Sequence, residues 1–218
     1  NNSDRPFFVA EISGNHNGSI ELAKQTILAA HQAGADAVKI QSYEPQTMTL
    51  DVDLPDFQVT EGIWKGHTLY ELYEKAHTPF AWHKELFDFA EEHGIYLFST
   101  PFDETAVDLL ESLDCPAYKI ASFEMTDLPL IEYVAKTGKP MIISTGMATL
   151  EEIGEAVDTA RTAGNKDLTL MHCISAYPTK LEETRLDNIR ILRETFGLDV
   201  GFSDHTLGSE AALLSVNF

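Results

Sequence analysis

The chain has 218 residues, is 44% hydrophobic and carries 15 Lys+Arg against 35 Asp+Glu, a formal charge of −20. That length and apolar share can fill one sizeable core, and single α/β barrels commonly reach this size. The acidic balance excludes a nucleic-acid backbone or an anionic membrane surface as partner, so an anionic ligand has to be held by locally concentrated donors. Cys115 and Cys173 stand far apart with no CxxC spacing, which reads as two reduced thiols and a cytoplasmic setting. The start, Asn1 to Pro6, has no basic region followed by a long apolar one, and no later run approaches the length of a membrane span.

From Pro6 onward, short β-branched or aromatic runs alternate with longer amphipathic stretches, the rhythm of βα units and a parallel sheet. Strand one is expected over Phe7 to Ile12, followed by the turn Ser13-Gly14-Asn15-His16-Asn17-Gly18 and a helix from Ser19 whose face is Ile20, Ala23, Ile27 and Ala30. Gly34 ends that helix, and strand two is Ala37 to Ser42. Residues Tyr43 to His77 form a long irregular excursion rich in acids and aromatics, of the kind that serves as a lid or binding loop. Thr78-Pro79 reads as an N-cap and first helical residue, opening a helix through Trp82, Leu86 and Phe89 to Gly94.

The rhythm is then regular. Strand three is Ile95 to Thr100, with a helix opened by Asp103; strand four is Ala117 to Ser122, with a helix from near Asp127 to Gly138. Strand five is Met141 to Thr145, and Thr149-Leu150-Glu151-Glu152 is a capping box for a helix with the apolar face Leu150, Ile153, Val157 and Ala160. Strand six is Leu168 to Ile174 with a helix over Leu186 to Phe196; strand seven is Val200 to Ser203, and Gly208 to Val216 begins another helix. Seven βα units without a GxGxxG turn fit a TIM (β/α)8 barrel lacking its last strand better than a doubly wound sheet. The chain is also shorter than the roughly 250 residues usual for that fold, so it is expected to be a truncated barrel domain.

In such a barrel the C-terminal strand ends carry the site. They deliver Glu11, Asn15, His16 and Asn17; Lys39 and Gln41; Ser99 and Thr100; Lys119, Ser122 and Glu124; Ser144 and Thr145; His172, Ser175 and Tyr177; and Ser203, Asp204 and His205. Two lysines and several hydroxyls would bind a phosphate or carboxylate through charge-assisted hydrogen bonds. Lys39 and Gln41 share strand parity, as do Val9 and Glu11. Lys119 and Ser122 do not, so both can face one ligand only if strand four bulges or ends near Ala121.

Plainer readings stand beside these. A lone strand lysine is often a snorkelling structural residue, although two on different strands argue against that. Strand-end hydroxyls are often helix caps, a role open to Ser144 and Ser203 as well as Thr149. His172, beside Cys173 in an apolar strand, reads as a core histidine, and His16, His83 and His93 read as surface residues. Asp204 and His205 suggest metal or acid/base chemistry, but one His-bearing loop does not define a metal site. Trp64, Tyr70, Tyr73 and Phe80 read as lid or core packing more than as a stacking platform.

Several stretches carry a resemblance: Ala10-Glu11-Ile12 with Asn15-His16-Asn17-Gly18, Val38-Lys39-Ile40-Gln41, Phe98-Ser99-Thr100-Pro101-Phe102, Tyr118 to Glu124, Ile143-Ser144-Thr145-Gly146-Met147, His172-Cys173 with Tyr177-Pro178, and Gly201 to Thr206. Together they resemble the sialic acid synthase family, enzymes that condense phosphoenolpyruvate with an N-acetylated sugar. Within it, Trp64 to Tyr73, Phe123 and Ser175-Ala176-Tyr177-Pro178 are most similar to the pseudaminic acid synthases. The resemblance implies that Lys39, Thr100, Lys119, Ser122, Ser144 and Ser203 hold phosphoenolpyruvate, that Glu11 and Gln41 line the reacting centre, and that Glu124 and Tyr177 face the sugar. It implies that His205 ligates a divalent metal, manganese first and magnesium or cobalt as alternatives, with a second metal histidine on a strand eight that residues 1–218 do not contain. It also implies a homodimer and a C-terminal antifreeze-like domain outside these residues, which alone would carry half of the metal site. Two rival readings are a Schiff-base pyruvate aldolase acting through Lys119 and a non-catalytic sugar- or anion-binding barrel.

Overall fold

The computed structural model describes residues 5–60, 62 and 64–218, so the opening stretch Asn1 to Asp4 lies outside the described residues. The chain divides into two compact units, Asn1–Pro116 and Ala117–Phe218.

In the first unit, β1 (Val9–Glu11) is followed by α1 (Ile20–Gln32), β2 (Ala37–Ser42), the short α2 (Pro45–Met48), α3 (Leu69–Ala76), α4 (Phe80–Glu92), β3 (Tyr96–Pro101) and α5 (Glu104–Ser112). β1 and β3 both pair parallel with β2, in a register that sets Glu11 beside Lys39 and Gln41 beside Thr100. Period-2 alternation then sends Lys39 and Gln41 to one face of β2, and Val38, Ile40 and Ser42 to the other. That second face is the buried one: Val38, Ile40 and Leu97 pack with Ala23 and Ile27 of α1 and Leu86 and Ala90 of α4. Each fully buried aliphatic side chain there contributes about 1.5–3 kcal/mol.

The helix starts follow capping chemistry. Ser19 accepts from the Leu22 amide at 3.3 Å, and Asp103 accepts from Thr105 and Ala106 at 2.7 and 3.2 Å. The excursion from Tyr43 is more ordered than its composition suggests. Thr68 and Glu71 form a full capping box at the start of α3, and Tyr43 meets the rings of Tyr73 and Phe102 edge-on at 5.7 and 5.3 Å. Two expectations need correction. β1 is confined to three residues, because Phe7 and Phe8 are half exposed and the Phe8 amide is taken by the Asp36 carboxylate at 2.8 Å. Thr78 does not cap α4, which begins at Phe80; its buried hydroxyl lies 3.3 Å from His16 Nε2 instead.

The second unit runs β4 (Tyr118–Ile120), α6 (Leu128–Ala135), β5 (Met141–Ser144), α7 (Leu150–Thr162), β6 (Leu168–Cys173), α8 (Asp187–Phe196), β7 (Asp199–Ser203) and α9 (Glu210–Ser215). Its four strands are parallel and in sequence order, with Lys119 beside Ile142, Ser144 beside Met171 and Cys173 beside Ser203. Tyr118, Ile120, Ile131, Met141, Ile143 and Leu170 are fully buried. Thr149 and Glu152 close the expected capping box on α7, whose buried face is Ile153, Ala156, Val157 and Ala160. Leu150 is the correction there, standing 50% exposed at the first helical position. Both cysteines are free and buried. Among the described residues, no helix is long and apolar enough to cross a membrane.

Candidate active site

In the first unit the strand-end residues form one charged cluster. Lys39 is only 6% exposed; its ammonium is paired with Glu11 Oε2 and donates to Thr100 Oγ1 at 2.8 Å. Such burial is tolerable for a lysine only with a counter-charge and hydrogen-bond acceptors, and the parallel register of β1, β2 and β3 supplies both. The other Glu11 oxygen accepts from the Ser13 amide at 2.9 Å, and the Gln41 amide reaches Ser13 Oγ at 3.5 Å. Ser13 has φ +45°, in the left-handed region that few non-glycine residues adopt. The structure thus brings together Glu11, Lys39, Gln41 and Thr100, which the sequence placed at neighbouring strand ends, and adds Ser13, which ties two of them together.

In the second unit, β4 stops at Ile120, Ala121 is extended, and Ser122–Glu124 form a turn of 3-10 helix. The parity conflict between Lys119 and Ser122 is removed in this way, since strand alternation ends before Ser122. Ser122 Oγ accepts from the Gly146 amide at 3.1 Å. A Cβ on Gly146 would collide with Ser175 Oγ and stand 2.8 Å from Ser122 Oγ, so only glycine lets these hydroxyls approach. Ser144 is fully buried, and its hydroxyl has no partner among the described residues; the same holds for Glu124 Oε2 and Thr206 Oγ1. Ser144 thus does not serve as a helix cap. Unsatisfied buried polar atoms are uncommon and call for an explanation such as a ligand. Burial pushes the Glu124 carboxyl up to about 7, against the opposing effects of its own backbone and of the Lys119 charge. Ser203 ends β7, half-buried, beside Cys173 of β6.

His205 donates from Nδ1 to the Ile174 carbonyl at 2.9 Å and lies 3.9 Å from Cys173 Sγ; the Tyr177 ring, 72% exposed, leans on it at 4.2 Å. Burial opposes the Cys173 thiolate, but hydrogen bonds from His205, Ser122 and Ser175 prevail and bring its pKa down to about 7. Cys173 was not singled out from sequence as a functional residue, and only its place one residue past His172 at a strand end marks it. With Nδ1 engaged, His205 can ligate a metal through Nε2. No group of three or more His, Cys, Asp or Glu side chains that could hold a metal comes together among the described residues, so they fit one ligand position and not a closed site.

The other histidines divide. His172 is the core residue expected, with Nε2 2.6 Å from the Thr184 carbonyl, and His93 is exposed. His16 and His83 are not surface residues: they are 1% and 0% exposed. Each is buried because a hydroxyl takes its ring nitrogen, Thr78 at 3.3 Å for His16 and Ser42 at 2.6 Å for His83.

Comparison with known proteins agrees with the strand-end motifs. The chain is 48% identical over 210 residues to the pseudaminic acid synthase of Helicobacter pylori, covering 96% of this chain and 62% of that protein. It is 44% identical over 216 residues to the pseudaminic acid synthase of Campylobacter jejuni, covering 99% and 63%. The chain thus spans somewhat under two thirds of the length of these relatives. The structure of N-acetylneuraminic acid (sialic acid) synthetase from Leptospira borgpetersenii, solved with citrate, superposes with a TM-score of 0.85 at 28% identity, over 96% of this chain and 68% of that one. The α/β class of the (β/α)8 barrel, with seven strands here, is therefore the fold. Residues 26–218 match the NeuB family model, and the chain belongs to the NeuB family.

Proposed function

We propose that the full-length protein condenses phosphoenolpyruvate with an N-acetylated or di-N-acetylated hexose, giving a nine-carbon sialic-acid-type sugar and phosphate. The observation that carries this reading is Lys39, a buried ammonium held between Glu11 and Thr100 at the C-terminal end of its strand, in a protein whose net charge is −20. Lys39, Thr100, Lys119, Ser122, Ser144 and Ser203 take the phosphate and carboxylate, Gln41 lines the reacting centre, and Glu124 and Tyr177 face the sugar. The unpartnered hydroxyl of Ser144 and unpartnered oxygen of Glu124 support these assignments.

C3 of phosphoenolpyruvate forms a bond to the aldehyde carbon of the open-chain sugar, whose oxygen takes up a proton. Water adds to the cationic C2 that results, Glu11 accepts one proton of that water, and the C2–O bond to phosphate breaks as the new C2 hydroxyl becomes the ketone and gives its proton to the departing phosphate. A divalent metal, manganese or else magnesium or cobalt, would supply Lewis-acid polarisation of the aldehyde, with His205 as one ligand. The protein is proposed to work in the cytoplasm as a homodimer.

The test is phosphate release by the full-length protein from phosphoenolpyruvate, with manganese and a panel of N-acetylated hexoses. Release that needs a sugar supports the reading. Absence of release, together with a borohydride-stable adduct of Lys119 with pyruvate, would replace it with Schiff-base aldol chemistry. Tight phosphoenolpyruvate binding without release would mark a non-catalytic barrel.

A further inference from the structure

We propose that His83, with Ser42 and Ser99, is a positioning device for the substrate-binding ends of β2 and β3, a buried hydrogen-bond chain on the helix side that fixes Lys39, Gln41 and Thr100 on the other side. The proposal rests on the function assigned above.

Register and parity place both serines on the helix side of the sheet. On β2, Ser42 continues the face of Val38 and Ile40, and on β3, Ser99 continues the face of Leu97, the face that packs on α1 and α4. An aliphatic pair would be the default at these positions. Instead Ser42 Oγ lies 2.6 Å from Ser99 Oγ and 2.6 Å from His83 Nε2, and all three residues are fully buried. Three polar side chains in an apolar layer are destabilising unless every group is satisfied, so their arrangement is strongly constrained.

Proton positions follow from the acceptors. The Pro79 carbonyl, 3.1 Å from His83 Nδ1, can only accept, so Nδ1 carries the hydrogen and Nε2 is the acceptor. Ser42 therefore donates to His83. Ser99 is left to donate to Ser42 or to the Ile40 carbonyl at 3.2 Å. The chain runs from strand to helix in one direction, and it closes only when Ser42, Ser99 and the first turn of α4 are in this register.

Its reach is short. Ser42 adjoins Gln41, and Ser99 adjoins Thr100, the acceptor for Lys39. A one-residue slip of either strand would turn its ligand-bearing face toward the helices. The same start of α4 also steadies the β1–α1 loop: Thr78 meets His16 Nε2, while His16 Nδ1 accepts from the Gly18 amide at 3.2 Å. That loop carries Ser13, which holds Glu11 and Gln41.

The test uses the full-length protein with Ser42→Ala, His83→Ala and His83→Gln, and with Ile27→Val as a core defect of the same layer that removes none of the hydrogen-bonding groups. Ser42→Ala and His83→Ala are expected to raise the KM for phosphoenolpyruvate about tenfold, the weight of one lost hydrogen bond, with the sugar KM little changed. His83→Gln, which keeps an acceptor for Ser42 and a donor for Pro79, should restore most of the difference. The side-chain NMR signal of the Lys39 ammonium should shift in Ser42→Ala and His83→Ala, and stay in place in Ile27→Val. An unmoved signal and KM in folded variants, or equal changes in Ile27→Val, would overturn the proposal. If the wild-type protein does not turn over phosphoenolpyruvate, the functional reading fails by itself, and the Lys39 signal still decides the positioning claim.

Discussion

Lys39 donates to Thr100 Oγ1 at 2.8 Å from one strand to the next, while its charge is met by Glu11 on the strand at its other side. One ammonium thus joins the ends of three parallel strands. Removing the hydroxyl should affect both binding and folding. Thr100→Val is expected to raise the KM for phosphoenolpyruvate about tenfold and to lower stability by about 1–3 kcal/mol, because a buried ammonium hydrogen loses its acceptor, measured by steady-state kinetics and chemical denaturation. Lys39→Met should abolish measurable turnover, because Glu11 would lose its counter-charge along with the substrate.

Glu124 gives a stability prediction with a definite sign. Its carboxyl rises from an ordinary 4.5 to about 7 on folding, so between those values the folded protein keeps a proton that the unfolded chain releases. Stability contributed by this group therefore falls as pH rises from 4.5 to 7 and stays reduced above. Glu124→Gln cannot ionise. Melting temperatures of both proteins at pH 5 and pH 8 should show the variant gaining on the wild type at the higher pH; a constant difference would refute the assignment.

His83 acts in the opposite sense. Burial holds its pKa down at about 4 against an ordinary 6.5, so the unfolded chain binds the proton first as pH falls. The protein should lose roughly 3 kcal/mol from this group between pH 6.5 and 4. Urea titrations at pH 7 and pH 5 should show about 2 kcal/mol of that loss, and His83→Gln should flatten it.

Gly146 tests the second unit. Gly146→Ala is expected to displace Ser122 and Ser175 and to lower activity at least about tenfold, while far-ultraviolet circular dichroism remains that of the wild type.

A cap offers the contrasting case. Thr149→Ala breaks the capping box of α7 and should lower stability by about 1 kcal/mol without changing either KM, as read by chemical denaturation and kinetics.

Much of the fold was legible because hydrophobic period and capping residues agree over most of the chain. β2 occupies Ala37–Ser42 as read, and Ser19, Asp103, Asp127 and Thr149 each accept from the first turn of the helix expected after them. α4 departs from that agreement. Its apolar residues Trp82, Leu86, Phe87, Phe89 and Ala90 surround too much of the helix to fix its inward face, and the face actually buried is His83, Leu86 and Ala90. A face one residue away from the one read from sequence places His83 in the core, and its bonds to the Ser42 hydroxyl of β2 and the Pro79 carbonyl make that burial tolerable. Ser13 and Gly146 escaped for a related reason, since their roles depend on backbone geometry and close approach, which period and composition do not encode.

The pairing of Lys39 with Glu11 has one more consequence. A free lysine loses up to about 2 kcal/mol of rotamer entropy when a ligand immobilises it. Lys39, held by Glu11 and Thr100, has already lost that freedom when the chain folds. On the proposed function, an arriving anion would meet a fixed charge, and the selectivity of the encounter would lie in whether it can share that ammonium with a carboxylate already in place. Anions with a geometry that fits beside Glu11 would then be favoured over anions that merely carry more charge.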